Sequence, residues 1–379
     1  MHFFDYNATT PLGTAAKSAW LEAQEANWLN PSSPYRAAAA VKVRLDELQE
    51  QLGAMLAVEP ERLVFNSGAT EGNNMVLRHL DESLPDGARI GISPIEHPSV
   101  LEPAEQLFGD RIEWLPVGKE GRVRLEALDL SGLAAVSMMA ANNETGVLQP
   151  WVELLRLCRE HGIPFHCDAS QWVGKMPLDG LGQCDFLTAC GHKFGGPRGA
   201  GFLLVPREVQ LSGRLLGGEQ QAGRRAGTED FAAVAAMLAA LEAAEQGRSD
   251  CGPAGKNLLL TELKAQLPGF FVVGSQEASL WNTVSLCLPD FASVRWIRAL
   301  EKRDFLLSAG SACSTGHAGP SQVLAAMGLS STDADRVIRI SSGWGTTAED
   351  WQLLAKAILE AYSELKQSAD DSQTGVISI

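Results

Sequence analysis

The sequence predicts an α/β fold in which helices cover a mostly parallel sheet. Two observations lead to this prediction. Short apolar runs alternate with amphipathic helical stretches between residues 62 and 206, and most of the apolar runs end in a polar or glycine-rich loop. This alternation is typical of βα units, in which function collects at the carboxyl ends of the strands.

Six segments predict the strands of this sheet and the loops that follow them. The segment LLRLCREHG lies between two of them and has helical spacing with a glycine at its end, which predicts a crossover helix. In chain order, the six strand segments are RLVFNSGATEGNN, ARIGISPIEHPSV, LAAVSMMAANNETG, IPFHCDAS, CDFLTACGHK and GAGFLLVP.

A second unit begins after the glycine- and proline-containing break SDCGPAG, which follows an alanine- and leucine-rich helix starting near Asp230. Here we predict a helix, strands at FFVVG and NTVSLCLP, a helix at VRWIRALEKRD, a strand at VIRISSGWGTT and a last amphipathic helix. The domain boundaries are expected near residues 12 and 252. Residues 13–252 then form a large domain, and residues 1–12 with 253–379 form a small domain. The polar tail KQSADDSQTG is predicted to be frayed.

Composition narrows the class of protein. The chain has 379 residues and is 45% hydrophobic, enough for one large and one smaller domain. The 31 Lys+Arg and 46 Asp+Glu residues give a net charge of −15, which argues against direct nucleic-acid binding. No apolar run reaches the roughly 18 residues that a membrane span needs. The N-terminal MHFFDYNATTP lacks the features of a secretory signal.

Seven cysteines are present, without CxxC or zinc-like spacing, so neither disulfides nor a metal site is predicted. A cytoplasmic location fits this pattern best. Cys158 on a helix face, Cys167 in a strand and Cys287 in an apolar run have the surroundings of core thiols. Cys313 differs because it lies in SAGSACSTG, a run with almost no side-chain bulk.

Three strand-end loops contain chemically useful groups. One presents Asp168 and Gln171, a second presents His192 and Lys193 in a glycine-rich turn, and NSGATEGNN offers backbone N–H groups at a helix N-terminus. Pyridoxal phosphate needs a lysine for a Schiff base, an acid beside its pyridine nitrogen and a cradle for its phosphate. Taken singly, the same residues suit a turn, an N-cap and a surface charge. A generic α/β enzyme therefore stays open as the alternative on these residues alone.

Ten motifs run in one order from residue 5 to about residue 347. They are DYNATTP, NPSS, VFNSGATEGNN, EHPSV, NNETGVLQP, HCDASQWVGKMPLD, CGHKFGGPRGAGFLLV, RRAGTED, SAGSACSTG and IRIS. In this order they resemble the cysteine desulfurases of the NifS/IscS type, in the class V aminotransferase group of fold-type I pyridoxal phosphate enzymes. The resemblance implies a large domain with a mostly parallel seven-stranded sheet and a smaller α+β domain.

The resemblance also implies how pyridoxal phosphate is held. Lys193 would form the Schiff base, Asp168 would pair with the pyridine nitrogen, and Gln171 would hydrogen-bond the 3-hydroxyl. His97 would stack on the ring and help with proton transfer. The phosphate-binding residues implied are Ala69 and Thr70 in the turn, Cys190 and His192 nearby, and Thr228, which would reach the phosphate of the neighbouring subunit of a homodimer.

For the substrate, the resemblance implies that Asn143 and Arg339 bind the carboxylate, which suits the planar fork of arginine. L-Cysteine would become L-alanine, and Cys313 would take its sulfur as a persulfide for delivery to an acceptor protein. An ordinary cysteine has a pKa of roughly 8.5, so the site must raise the nucleophilicity of Cys313. The small residues around Cys313 favour backbone freedom, which predicts a mobile catalytic loop. His317 either helps to ionise Cys313 or lies in solvent.

The chain departs from the family pattern at several places. Cys190 stands where a phosphate-contacting serine is expected, and a thiol is a weaker hydrogen-bond donor than a hydroxyl. NPSSPYRAA alters a loop near the site entrance, Gln221 stands where glutamate is common, and Trp344 replaces an arginine of the IscS-like branch.

Two alternatives to a cysteine desulfurase stay open. One is another class V activity, either a selenocysteine lyase or an aminotransferase-like enzyme in which Cys313 is incidental. The other is an inactive homologue that serves as a binding subunit. The sulfur acceptor and its pathway, whether iron–sulfur assembly, tRNA thiolation or another route, are not set by these residues.

Overall fold

The structure is a computed structural model of one chain and describes residues 1–211, 215–310 and 321–374. The strands are β1 (His2–Phe3), β2 (Leu63–Asn66), β3 (Arg89–Ile92), β4 (Ile112–Trp114), β5 (Leu133–Ser137), β6 (Phe165–Asp168), β7 (Phe186–Cys190), β8 (Gly201–Leu204), β9 (Phe271–Val272), β10 (Thr283–Cys287), β11 (Phe305–Leu306), β12 (Ser308–Ala309) and β13 (Val337–Ser341). The helices are α1 (Thr14–Ala26), α2 (Arg36–Leu56), α3 (Ala69–Ser83), α4 (Pro98–Phe108), α5 (Trp151–Glu160), α6 (Phe231–Gly247), α7 (Ala254–Gln266), α8 (Ser293–Glu301), α9 (Gln322–Ala326), α10 (Ser331–Asp335) and α11 (Ala348–Thr374).

A seven-stranded sheet forms the centre of the molecule, with the order β2-β8-β7-β6-β5-β3-β4. Neighbouring strands are parallel except where β8 pairs antiparallel with β7 and with β2. The predicted mostly parallel sheet is confirmed, and each of the six predicted strand segments supplies one of its strands. Leu63 and Phe65 pack into one hydrophobic cluster and Val64 into another, so both faces of the sheet are buried, as parallel sheets require.

The strand directions bring the polar loops together. Because β2, β3, β6 and β7 run the same way, their carboxyl ends lie along one edge of the sheet. Asp168, the last residue of β6, lies beside Thr188 of β7. This edge therefore collects the loops in which the sequence places the candidate site.

A second sheet is antiparallel and has the order β12-β13-β10-β9. The N-terminal strip joins this unit, because β1 pairs with β11 and Asp5 bridges to Ser341. Phe4 shares a hydrophobic cluster with side chains between residues 259 and 365. These contacts support the predicted division near residues 12 and 252, which stays a prediction.

The C-terminal prediction is wrong in one respect. The tail was predicted to be frayed from residue 366, but α11 continues to Thr374. No glycine or proline interrupts the chain between Ala348 and Thr374, so nothing in this stretch breaks the helix before Gly375. Among the described residues, no helix has the length and apolar character to cross a membrane.

Candidate active site

A cavity of about 410 Å³ opens at the carboxyl edge of the seven-stranded sheet. Most of the residues that the sequence assigns to the site line it. They are Ala69, Thr70, His97, Asn143, Asp168, Gln171, Cys190, His192 and Lys193. The fold therefore brings together groups that lie more than a hundred residues apart in the chain.

Lys193 ends the 3-10 turn Gly191–Lys193, which directly follows β7. Its Nζ donates hydrogen bonds to the carbonyl oxygens of Asn7 at 2.5 Å and Ala8 at 2.9 Å. Both acceptors belong to the N-terminal strip. The amine is thus held at the cavity wall by the strip that also joins the second sheet.

Asp168 is 5% exposed and lines the same cavity. Its Oδ2 accepts from Nδ2 of Asn73 at 2.8 Å, and its Oδ1 accepts from the N–H of Ser170 at 2.9 Å. Both donors are neutral, and no cationic side chain forms an ion pair with Asp168 in the described part of the chain. These two donors hold the carboxylate in one orientation at the cavity wall, where a cationic group of a ligand can pair with it.

Asn73 is a site residue that sequence reasoning missed. It is fully buried on α3 and donates to both Asp168 and the hydroxyl of Ser99, the latter at 2.9 Å. Its Oδ1 accepts from the hydroxyl of Thr188 at 2.5 Å. An asparagine amide can donate and accept at once, so Asn73 fixes Asp168 without neutralising it. Its position in GNN gives no signal that separates it from an ordinary helix residue.

His97 is the N-cap of α4, and its Nδ1 accepts from the N–H of Ser99 at 3.1 Å. Burial lowers the pKa of His97, with a smaller contribution from Lys193, and the nearby Asp168 carboxylate only partly offsets this. The imidazole is therefore neutral near pH 7. With Nδ1 acting as acceptor, its proton lies on Nε2.

The turn between β2 and α3 gives the cavity an anion-binding wall. Gly68 has φ +139°, a conformation that favours glycine. Ala69 begins α3 and lines the cavity, so the N-terminal end of this helix, with its free N–H groups, lies at the cavity. A Cβ on Gly201 would lie 2.6 Å from Cα of Gly68, so β8 approaches this turn closely only because residue 201 is glycine. Arg198, which is exposed, adds a positive charge at the cavity rim.

Further polar groups surround this wall. The hydroxyl of Ser170 is buried and finds no nitrogen or oxygen partner among the described residues. Cys190 is 3% exposed, and burial raises the pKa of its thiol, which stays protonated and available only as a weak donor. Burial and the neighbouring cations lower the pKa of His192 to about 4, so its imidazole is neutral. Ser170 was missed by the sequence analysis; it lines the same cavity as Gly68 and Ala69, and its hydroxyl can donate a hydrogen bond to an anion bound there.

These features fit pyridoxal phosphate. The cavity combines an amine, a carboxylate held by neutral donors, a neutral imidazole and a helix N-terminus beside the buried hydroxyl of Ser170. The one feature that opposes a phosphate is the Glu71 carboxylate in the first turn of α3. It is paired with Arg225 at 2.9 Å and accepts from the N–H of Ser67 at 2.8 Å, so its charge is largely offset.

Arg339 does not line the cavity. It is 1% exposed, donates to the carbonyl oxygen of Asn143 at 3.1 Å and forms a 2.7 Å ion pair with Asp5. Its Nε has no partner among the described residues. Its predicted role in binding the substrate carboxylate stays a prediction, and Asp5 is a competitor that the sequence analysis did not identify.

Cys313 and His317 lie outside the described residues. The described residues on either side, Gly310 and Ser321, both lie close to Glu144. Oε2 of Glu144 accepts from the hydroxyl of Ser321 at 2.6 Å and lies 3.4 Å from the position of a Cβ on Gly310. Burial raises the pKa of Glu144 to about 7.

The structure also places three other cysteines and two of the residues that depart from the family pattern. Cys158, Cys167 and Cys287 are buried, as predicted. Gln221 accepts from the N–H of Phe65 at 2.6 Å and donates to the carbonyl of Phe65 at 2.8 Å. An ionised glutamate could accept from the N–H but could not donate to the carbonyl. Trp344 packs edge-on against a neighbouring tryptophan ring with centroids 6.4 Å apart.

Comparison with known proteins agrees with this geometry. The model of the family "Aminotransferase class-V" matches residues 2–354. The chain is 32% identical to the putative cysteine desulfurase IscS 1 of Bacillus subtilis over 96% of this chain and 99% of that protein. It is also 32% identical to the cysteine desulfurase NifS of Azotobacter vinelandii, over 96% of this chain and 93% of that protein.

A solved NifS-like protein superposes with a TM-score of 0.86 at 28% identity, covering 96% of this chain and 99% of that chain. The similarity thus extends over both sheets and every loop that lines the cavity. The chain belongs to the aminotransferase class-V family and, within it, to the NifS/IscS-type cysteine desulfurases.

Proposed function

We propose that this chain is a pyridoxal phosphate-dependent cysteine desulfurase that converts L-cysteine to L-alanine and takes up the sulfur on Cys313. The observation that supports this most strongly is the convergence of Lys193, Asp168 and His97 on one cavity. Asp168 is held there by neutral donors only, which suits a cationic ring nitrogen.

Each side chain has a distinct task in this proposal. When bound, pyridoxal phosphate supplies an electron sink that acidifies the α-carbon of an amino acid. Lys193 would hold the cofactor through its aldehyde, and the carbonyls of Asn7 and Ala8 position the lysine amine. Asp168 would pair with the ring nitrogen and favour its protonated form, and neutral His97 would stack on the ring and help with proton transfer. Asn143 and Arg339 orient the substrate carboxylate.

The sulfur step belongs to Cys313. Its thiolate attacks the sulfur of the bound substrate, an S–S bond forms, and the Cβ–S bond breaks. The Cβ atom takes a proton and becomes the methyl group of alanine, while Cys313 holds a persulfide. An acceptor protein then receives this outer sulfur, so the cysteine returns to its thiol form.

A homodimer is part of this proposal. Thr228 is exposed and does not line the cavity of its own chain, which is consistent with a role at the cavity of a second copy. Apolar side chains with large exposed fractions include Trp28 at 72%, Val43 at 57% and Leu216 at 89%. Burial of such side chains favours association. Sedimentation should give twice the chain mass, and Leu216→Asp should weaken the dimer. A cytoplasmic location fits the free thiols.

The proposal is tested with isotopically labelled L-cysteine. We expect one alanine per sulfur released and a persulfide on the peptide that contains Cys313. Cys313→Ala should bind pyridoxal phosphate normally and form no persulfide. A Cys313→Ala protein that desulfurates at the full rate would contradict the sulfur step. Turnover of selenocysteine but not of cysteine would indicate a selenocysteine lyase. A wild-type protein that takes up no pyridoxal phosphate would indicate a binding subunit.

A further inference from the structure

Lys175 is a buried amine that lies behind the cavity wall, in contact with the lining residues Asn7 and Gln171, and the mechanism above does not use it. It is 3% exposed and lies in the turn that follows β6. Its Nζ donates to Oδ1 of Asn7 at 2.8 Å and to Oε1 of Gln171 at 2.5 Å. The side chain therefore joins the N-terminal strip to the residue expected to contact the cofactor ring.

The contacts of Gln171 fix which way its amide points. The Lys175 amine donates a hydrogen bond through its N–H groups, so the atom of the Gln171 amide that faces Lys175 is the oxygen Oε1. The opposite atom, Nε2, donates to the carbonyl oxygen of Asn7 at 3.0 Å, and a carbonyl can only accept. A primary amide has two N–H groups, so Nε2 retains a second one to donate. That carbonyl of Asn7 also accepts from Lys193, so one oxygen positions both side chains.

The charges around Lys175 indicate that it acts through hydrogen bonds rather than as a counter-ion. Burial lowers the pKa of Lys175 well below its ordinary value, and the nearby cations Lys193 and Arg339 lower it further. No carboxylate forms an ion pair with Lys175 within the described ranges. Burying an amine without a counter-charge destabilises the fold. We therefore infer that Lys175 serves to position the groups that accept its hydrogen bonds.

We propose that Lys175 is a positioning residue that holds the Gln171 amide in one orientation, so that its second Nε2 N–H faces the 3-oxygen of bound pyridoxal phosphate. This inference rests on the proposed function, which supplies the ring oxygen as the partner of Gln171. A donor at this oxygen stabilises its anionic form. Loss of the donor therefore favours protonation of the bound chromophore.

The test is a pH titration of the visible absorbance of the bound cofactor. In Lys175→Met, we expect the pKa of the bound chromophore to rise by about one unit, the size expected for one charge-assisted hydrogen bond. The dissociation constant of added pyridoxal phosphate should rise about tenfold. Gln171→Ala should show the same shift, and Lys175→Met should add nothing to it. Lys175→Gln, which keeps a shorter donor, is the second variant if Lys175→Met does not fold.

Lys256 provides a matched control. It is also buried, and its Nζ donates to the hydroxyl of Ser279 at 2.9 Å and to the carbonyls of Leu280 at 2.9 Å and Thr283 at 3.2 Å, away from the cavity. Lys256→Met should lower thermal stability as much as Lys175→Met and leave the chromophore titration unchanged.

Two results would overturn the inference alone. One is a coloured Lys175→Met protein that titrates like the wild type, and the other is a full additional shift when Lys175→Met is combined with Gln171→Ala. A wild-type protein without a visible band would instead overturn the proposed function, and the inference with it.

Discussion

Asp168 and Arg339 are two buried charges that the sequence assigns to one site, but the structure surrounds them differently. Asp168 is held by the neutral donors Asn73 and Ser170 and faces the cavity. Arg339 is paired with Asp5 and does not line the cavity. The carboxylate is thus ready for a ligand, whereas the guanidinium already has an anionic partner.

The difference follows from where each residue is held. Asp168 ends β6 of the large sheet and is held by Asn73 of the helix α3. Arg339 is on β13 of the second sheet and contacts both the N-terminal strip and the loop of Asn143. The proposed cofactor half of the site is therefore held within one sheet and its helix, whereas the proposed substrate half depends on contacts between β13, the N-terminal strip and the loop of Asn143.

Asp168→Asn should remove the carboxylate that is proposed to pair with the cofactor ring nitrogen. The amide cannot stabilise a protonated ring nitrogen, whose pKa should fall by about 1 to 3 units, and each unit corresponds to a factor of ten. Alanine formation at saturating pyridoxal phosphate should fall by about 10- to 1000-fold. The rate of alanine release measures this. An unchanged rate would mean that Asp168 does not contact the ring.

Asp5→Asn should lower the stability of the fold and change the KM for L-cysteine. Arg339 would remain buried without its anion, so the free energy of unfolding should fall by about 3 kcal/mol. At the same time the KM for L-cysteine should fall, because the substrate carboxylate no longer competes with Asp5. Arg339→Gln should raise KM instead. Urea denaturation and initial rates give the two quantities, and a higher KM in Asp5→Asn would contradict the assignment.

Asn73→Ala should loosen the hold on Asp168 while leaving the Asp168 carboxyl group in place. The variant leaves Asp168, Ser99 and Thr188 each short of a buried hydrogen bond, so stability should fall by about 1 to 3 kcal/mol. The rate of alanine formation should fall less than in Asp168→Asn. Denaturation curves and rates on the same preparation separate the two effects. A rate as low as that of Asp168→Asn would show that position matters as much as charge.

Glu144 should change how the stability of the fold depends on pH. Burial raises its pKa from the ordinary value of 4.5 to about 7 in the folded chain. Between these values the unfolded chain has ionised Glu144 while the folded chain keeps it protonated, so stability falls as the pH rises from about 4.5 to 7 and then levels off. Glu144→Gln should remove this slope from the unfolding free energy measured at a series of pH values. Identical slopes in both proteins would contradict it.

The same contrast explains what could be predicted from sequence. Asp168 and Lys193 were identified because each follows an apolar strand and strand ends of parallel sheets meet at one edge. The roles of Asn73 and Lys175 depend on side chains that meet only after folding, as does the pairing of Arg339 with Asp5, which lies 334 residues away. No local pattern encodes such a contact. The end of α11 was missed for the opposite reason, because polar composition was given more weight than the absence of a helix breaker.

The most direct test of the central claim is to identify the lysine that binds the cofactor. Reduction of the holoenzyme with borohydride converts a Schiff base to a stable secondary amine, and mass spectrometry of the digested protein locates it. Two buried or half-buried lysines lie within reach of Asn7, so the measurement has a built-in comparison. We expect the pyridoxyl group on Lys193 and an unmodified Lys175. A pyridoxyl group on Lys175, or on neither lysine, would contradict it.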